Sequence, residues 1–128
     1  RMGQYLIDNN AISSYFSGTL SENAMQLMAD VIDQIPNISV ITEIEALSWI
    51  NVDKNKERIV QEFINDSHVI SLTPAVVKQC VNIRRSQKIK TPDAIIAATA
   101  IVHNLTLITS DSDFKNIADL VVLNPNLL

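Results

Sequence analysis

The sequence predicts an α/β domain of three layers, in which a central, mainly parallel sheet is flanked by helices. Short apolar runs alternate along the chain with longer segments whose apolar residues recur at helical spacing. Parallel strands need crossover connections, and helices that supply them cover both faces of the sheet. The length of 128 residues is close to that of one domain, so we expect a single domain over residues 1–128.

Strands and helices alternate in the first half of the chain. The segment 21–34 has apolar residues at i, i+3, i+4 and i+7 after Ser21, a favourable helix cap. Thr42 stands three residues before Glu45, which is the spacing of a capping box, and it predicts the start of another helix. The predicted elements are strand 5–7, a short helix 11–16, helix 21–34, strand 37–41 and a helix from 42 to about 49.

Two Thr-Pro pairs mark helix starts in the second half. Thr73-Pro74 and Thr91-Pro92 each place a capping residue before a proline, which is favoured in the first helical turn. The helix after Thr91 is apolar nearly all round, so we expect it to be buried. The predicted elements are helix 54–65, strand 68–72, helix 74–88, helix 92–103, strand 105–108 and strand 120–123.

The composition excludes several classes of protein. Hydrophobic residues make up 47% of the chain and charged residues 19%, which excludes a disordered chain. No apolar run approaches the roughly 18 residues that span a bilayer, so we expect no membrane partner. The single cysteine, Cys80, excludes an internal disulfide and is expected in the core. A reducing compartment, the cytoplasm, is the expected location.

Acidic residues are predicted to meet at one edge of the sheet. Asp8 and Asp111 each follow a predicted strand, while Glu45 and Asp93 lie in first turns of helices. In open parallel sheets the ligand crevice lies beyond the carboxyl ends of the strands. Each acid also has a structural explanation alone: helix capping for Asp8 and Glu45, the helix dipole for Asp93, and turn formation for Asp111 and Asp113.

Four carboxylates about 5 Å apart would repel by roughly 3 kcal/mol per pair at an effective dielectric near 20, unless they are protonated or neutralised. A divalent cation would neutralise them, and oxygen ligands without Cys or His favour Mg²⁺ or Mn²⁺ over Zn²⁺. Such ions activate water and stabilise the leaving oxygen of a phosphodiester. The formal charge of −4 alone argues against nucleic-acid binding. If the five acids named above bind a metal, however, nine of the fourteen acidic residues remain against ten basic residues, and the rest of the surface is nearly neutral.

Four segments resemble the acidic motifs of PIN-domain ribonucleases, especially the VapC toxins of bacterial toxin–antitoxin pairs: YLIDNN, SVITEIEAL, KTPDAIIAATAI and LTLITSDSDF. The resemblance covers nearly the whole chain and implies a PIN-like fold and a Mg²⁺-dependent endoribonuclease that is the toxin of a type II pair. It implies that four acids hold the metal and are catalytic, and that three residues support them. The first set is Asp8, Glu45, Asp93 and Asp111, and the second is Asp113, Asn9 and Thr109.

The match to the family motifs is uncertain in detail at two places, Asn9 and the pair Glu43 and Glu45. Asn9 stands where the family commonly has Thr or Ser, so an amide replaces a hydroxyl near the metal. Glu43 is an alternative to Glu45, but the spacing in Ser39-x-x-Thr42-x-x-Glu45 favours Glu45. Whether Glu43 or Asp113 joins the metal ligands stays open.

The resemblance further implies an RNA substrate, a homodimer, and a cognate antitoxin that blocks the acidic site. A basic run before Asp93 is the candidate for holding RNA, although it also suits a solvated helix face; Arg84 and Lys88 are spaced i, i+4 and could face RNA together. The run comprises Arg84, Arg85, Lys88 and Lys90. The aromatic residues are expected mostly in the core, which leaves no stacking platform for bases.

Two other classes compete with this interpretation. A response-receiver signalling domain shares the size, the parallel sheet and acids after the first strand, but it needs an Asp after a middle strand, which is absent here. A catalytically inactive PIN-fold module that binds RNA or protein would keep the acids as structural groups. His68, on a predicted strand, and His103, near a helix end, are not expected to be catalytic.

Overall fold

The computed structural model describes residues 4–128, and the predicted domain start at residue 1 lies outside this range. Within it the chain forms short strands connected by helices and by two 3₁₀ turns, Ser112–Phe114 and Pro125–Leu127. The elements are β1 (Tyr5–Ile7), α1 (Asn9–Ser17), α2 (Glu22–Asp33), β2 (Asn37–Ser39), α3 (Val40–Leu47), α4 (Lys54–Asp66), β3 (His68–Ile70), α5 (Pro74–Ser86), α6 (Thr91–Val102), β4 (Thr106–Ile108) and β5 (Val122–Leu123).

The strands of residues 4–128 form one five-stranded sheet in the order β3-β2-β1-β4-β5. All four neighbouring pairs are parallel, so the predicted α/β class is confirmed. The chain first winds from β1 toward β3 and then returns to the other side of β1 through β4. The order therefore reverses between β1 and β4, and such a reversal is where open parallel sheets form their ligand crevice, beyond the strand ends.

Alternate side chains of each strand face different helical layers. Leu6 points toward a core built with α5 and α6, whereas Ile7 points toward a core built with α1, α2, α3 and α4. Leu107 and Ile108 divide in the same way on β4. The sheet is thus covered on both faces, as predicted, and Cys80 lies in the first of these cores.

The predicted boundary between β2 and α3 is wrong. The strand ends at Ser39, whose hydroxyl accepts a hydrogen bond from the Thr42 N–H (3.1 Å), so Ser39 and not Thr42 caps the helix. The Thr42 side chain is fully buried and accepts a hydrogen bond from the Ser39 hydroxyl (3.2 Å). Glu45 therefore lies in the second turn of α3, and the capping-box explanation for it no longer applies.

Other element ends also differ from the prediction. β3 stops at Ile70 because its neighbour β2 ends opposite it, at Ser39. Thr91 is the first residue of α6 and not its cap; the cap position is held by Lys90, whose side chain makes no capping hydrogen bond. Helix α6 is buried along most of its length, as expected. None of the helices within residues 4–128 combines the length and apolarity needed to cross a membrane.

Candidate metal centre

Asp8 lies at the carboxyl end of β1, where the strand order reverses. Its backbone N–H donates to the carbonyl of Ile108, the last residue of the neighbouring strand β4 (3.0 Å). Asp8 caps α1 through a hydrogen bond from the Asn9 N–H to Oδ1 (2.8 Å). Its side chain is buried, at 6% exposure, so this carboxylate is held inside the crevice and away from bulk water.

Thr109, the residue after β4, holds the second oxygen of Asp8. Its hydroxyl donates to Asp8 Oδ2 (2.8 Å) and accepts a hydrogen bond from the Asp111 N–H (3.1 Å). Thr109 is 1% exposed, so these hydrogen bonds form in a buried environment. One threonine therefore connects the acid after β1 to the backbone that carries the acid after β4.

Three acids lie close together at the mouth of the crevice. Asp93, Asp111 and Asp113 each offer a carboxylate oxygen, and these oxygens lie within 4.8 Å of one another. Asp93 is in the first turn of α6, while Asp111 caps the 3₁₀ turn by accepting the Asp113 N–H (2.9 Å). That short turn brings Asp113, for which the sequence predicts only a supporting role, into the acidic cluster.

Asp8 and Glu45 lie outside this group of three but within its electrostatic field. Partial burial raises the pKa of Glu45 above 4.5, and the charges of Asp8 and Asp93 raise it further. Burial also raises the pKa of Asp93, with additional increases from Asp111, Asp113 and Asp8 and an opposing effect of Lys90. The carboxylates of Asp8 and Glu45 therefore lie within electrostatic range of Asp93, while only Asp93, Asp111 and Asp113 form the close group.

The pKa of Asp8 is set by opposing effects. Burial raises it above 3.8, the hydrogen bonds from Thr109 and Asn9 lower it, and the charge of Asp111 raises it. The raised pKa values of Asp8, Glu45 and Asp93 have a common cause, because burial and mutual repulsion both disfavour their charged forms. A bound cation would remove this penalty.

The donor set fits a divalent cation that prefers oxygen. The cluster of Asp93, Asp111 and Asp113 supplies carboxylates alone, without His or Cys. Mg²⁺ and Mn²⁺ bind such ligands, while Zn²⁺ more often takes nitrogen and sulfur. The chemistry and spacing of these residues are therefore compatible with the metal that the sequence predicts.

The supporting residues differ in how they reach the site. Asn9 touches Asp8 through its backbone N–H, and its side chain lines a neighbouring groove. Asn10, which is not among the predicted site residues, hydrogen-bonds Asp8, Thr109 and Ser110. The sequence signal that could have pointed to Asn10 is its position two residues after Asp8. Its hydrogen bonds with Ser110, however, are seen only in the folded chain.

The predicted basic run does not form one helical face. Helix α5 ends at Ser86, and Gln87 is extended, so Lys88 is not one helical turn beyond Arg84. The Arg84 guanidinium instead donates to the Ile89 carbonyl (3.3 Å). Lys90 is the base whose charge acts on the acidic cluster, because it lowers the pKa of Asp93. Arg85 is exposed on the last turn of α5.

A groove of about 470 Å³ begins beside Glu45 and runs between α1, α3 and α4. Phe16 and Trp49 line it and are 41% and 42% exposed, so the expectation that they belong to the core is wrong. Phe16 still packs edge-on against Phe63 of α4, with ring centroids 5.5 Å apart, so only part of its ring faces the groove. Phe63 and Phe114, in contrast, are buried as predicted.

The two histidines lie away from the acids. His68 is the first residue of β3, the outer strand on one side of the sheet, and its Nδ1 is 3.0 Å from Asn37 Oδ1. His103 caps the C-terminal end of α6, far along the helix from Asp93. Neither is placed for proton transfer at the acidic cluster.

Comparison with known proteins identifies the family. The sequence model of the PIN domain matches residues 5–120, so the chain belongs to the PIN domain family. PIN-domain toxins of the VapC type are nucleases, and membership supports a hydrolase. It also removes support from the response-receiver alternative. The curated proteins contain no match to this chain.

Solved structures give the same result. A chain of a toxin–antitoxin complex from Klebsiella pneumoniae is 29% identical over 94% of this chain and 97% of that chain, with a TM-score of 0.71. FitAcB from Neisseria gonorrhoeae is 25% identical over 97% and 99%, with a TM-score of 0.73. VapBC2 from Rickettsia felis, bound to a promoter DNA fragment, shares the fold at 18% identity over 94% and 97%, with a TM-score of 0.73. The chain is thus similar to VapC-type toxins.

Proposed function

We propose that this protein is a Mg²⁺-dependent endoribonuclease and the toxin of a type II toxin–antitoxin pair. The observation that carries the proposal is the convergence of Asp93, Asp111 and Asp113, whose oxygens lie within 4.8 Å, with Asp8 and Glu45 close enough to act on them electrostatically. Family membership supports the same activity. The whole chain, residues 1–128, acts as one domain.

Asp8, Glu45, Asp93 and Asp111 would hold Mg²⁺ or Mn²⁺, and Asp113, which is close to Asp93 and Asp111, would be a further ligand. The cation would supply charge for binding the phosphate, activating water and stabilising the leaving oxygen. Asn9 and Thr109 fix the carboxylate of Asp8.

Hydrolysis of the RNA backbone needs a proton acceptor and an in-line approach. A carboxylate of the cluster accepts a proton from the attacking water, whose oxygen bonds to phosphorus as the bond to O3′ breaks. The O3′ atom takes up a proton from solvent water, which leaves a 5′-phosphate and a 3′-hydroxyl. Asp8 is buried, and the hydrogen bond from Thr109 orients its carboxylate.

Basic side chains beside the cluster would hold the RNA backbone. Lys90 is the best placed, because its charge reaches Asp93, and Arg84, Arg85 and Lys88 lie on the preceding turn and loop. Their contacts with phosphates carry no base preference. RNA as substrate agrees with a cytoplasmic location.

The groove beside Glu45 is the proposed site of the antitoxin. It offers exposed apolar surface at Phe16, Trp49 and Ile59 and ends at an acid, so it suits an apolar segment that carries a cationic group. The complexes of the similar structures support such a partner. A homodimer would use another surface: Val77 and Val81 are one turn apart on α5 and are 45% and 49% exposed.

The activity is tested by incubating the purified chain with structured RNA and Mg²⁺, with and without EDTA. We expect cleavage that EDTA stops and that Asp93→Asn lowers by at least about a hundredfold. Asp66→Asn, which removes an exposed acid at the end of α4, is the control and keeps full activity. Cleavage that survives Asp93→Asn would disprove the mechanism; RNA binding without cleavage would indicate an inactive binding module.

A further inference from the structure

The side chain of Asn10 lies between Asp8 and the loop after β4. Its Nδ2 donates to Asp8 Oδ2 (3.2 Å) and to Thr109 Oγ1 (3.0 Å). Its Oδ1 accepts hydrogen bonds from the N–H (3.1 Å) and the hydroxyl (3.2 Å) of Ser110. Because the Ser110 N–H can only donate, Oδ1 must face Ser110 and the amino group must face Asp8. The orientation of the amide is therefore fixed.

This arrangement limits what Asp8 can offer to a ligand. An ionised carboxylate has about four acceptor positions, two on each oxygen. Asp8 Oδ2 accepts hydrogen bonds from Thr109 (2.8 Å) and Asn10 (3.2 Å), so both of its positions are used. Asp8 Oδ1 accepts one hydrogen bond, from the Asn9 N–H (2.8 Å). A single position, on Oδ1, is left.

Asn10 also connects the two sides of the crevice. It belongs to the first turn of α1, whereas Thr109 and Ser110 directly follow β4. The Asp111 N–H bonds to the same Thr109 oxygen that accepts from Asn10. Loss of the Asn10 amide would free Asp8 to rotate and would loosen the loop that carries Asp111.

We infer that Asn10 is a positioning residue, which saturates Asp8 Oδ2 so that Asp8 binds a divalent cation through Oδ1 alone. The inference rests on the proposed function, because it requires a cation at the acidic cluster. Asn10 itself has both donors and its oxygen occupied by protein partners, so it acts through Asp8 and the loop and makes no contact with the cation.

The test measures Mn²⁺ binding to the full chain by electron paramagnetic resonance, without RNA. Partners that orient metal ligands typically contribute ten- to a hundredfold to metal affinity. We expect Asn10→Ala to weaken Mn²⁺ binding by at least about tenfold. The control is Asn37→Ala, because Asn37 is also a buried amide that joins two strands, through a hydrogen bond to the Tyr5 carbonyl (3.1 Å). It starts β2, whereas Asp8 follows the last residue of β1, so Asn37 lies toward the other end of the strands. Asn37→Ala should lower the melting temperature and leave the Mn²⁺ affinity unchanged.

Unchanged Mn²⁺ affinity in folded Asn10→Ala would overturn the role of Asn10, and so would an equal loss in Asn37→Ala. Absence of Mn²⁺ binding by the native chain would overturn the proposed function, and this inference with it. A crystal structure of the native chain with Mn²⁺ tests the same point if Asn10→Ala does not fold. Anomalous density beside Oδ1 of Asp8 is the expected result, whereas a cation on Oδ2 or on both oxygens would disprove the inference.

Discussion

Replacement of Thr109 by valine should lower the free energy of unfolding markedly, although the two side chains have nearly the same shape. The hydroxyl donates to the buried Asp8 carboxylate (2.8 Å) and accepts from Asn10 (3.0 Å) and from the Asp111 N–H (3.1 Å). A hydrogen bond to a charged group contributes about 1.5–3 kcal/mol, because an unsatisfied buried charge is costly. Asn10 and Asp111 are half-buried, so water replaces part of what they lose. We expect Thr109→Val to lower the free energy of unfolding by about 2–3 kcal/mol.

Thr99→Val is the matched control. Thr99 is also buried, at 2% exposure, and its hydroxyl donates to the Ile95 carbonyl one turn earlier in α6 (2.7 Å). That bond joins neutral groups, and the carbonyl keeps its helical partner when the hydroxyl is removed. The expected loss is therefore about 1 kcal/mol or less.

The two variants are compared by urea unfolding followed by far-UV circular dichroism, in EDTA at pH 7. Each loss is taken from the shift of the urea midpoint multiplied by the common slope m, which avoids the uncertainty of about 15% in extrapolated free energies. Equal losses in Thr99→Val and Thr109→Val would refute the reasoning, because they would mean that the contact with Asp8 adds nothing beyond an ordinary buried hydroxyl.

The acidic cluster, the start of α3 and the groove each give a further prediction. The raised pKa of Asp93 means that the folded chain holds this proton more tightly than the unfolded chain, so stability falls as the pH rises from 3.8 through the folded pKa. In EDTA, Asp93→Asn should therefore stabilise the chain at pH 7 and flatten this part of its pH dependence; a slope like that of the native chain would contradict the prediction. Ser39→Ala removes the cap of α3 and should cost about 1 kcal/mol in urea unfolding, whereas Ser86→Ala, which removes an exposed hydroxyl at the end of α5, should change stability by under about 0.5 kcal/mol. Trp49 is the single tryptophan and is 42% exposed, so its fluorescence should shift to shorter wavelength when an antitoxin covers the groove; an unchanged spectrum in a stable complex would place the antitoxin elsewhere.

The sequence determined the order of elements and the acids at the ends of the strands. Short, continuously apolar runs indicate strands that are buried on both faces of a sheet, and helices must then cover both faces. Leu6 and Ile7 show this, because they are neighbours on β1 and belong to different cores. Asp8 and Asp111 could be placed because residues that follow parallel strands share one edge of the sheet.

Only the tertiary structure decided the details that depend on contacts between distant parts of the chain. Ser39, and not Thr42, caps α3 because β2 ends at Ser39. The roles of Asn10 and Asp113 depend on contacts of β4 and the turn after it with α1 and α6. The exposure of Phe16 and Trp49 could not be predicted either, because the sequence does not show whether another element covers an apolar residue. Local patterns encode local conformation and burial, whereas a hydrogen bond between residues about a hundred positions apart, such as that of Asn10 with Thr109, exists only once the sheet has brought its strands together.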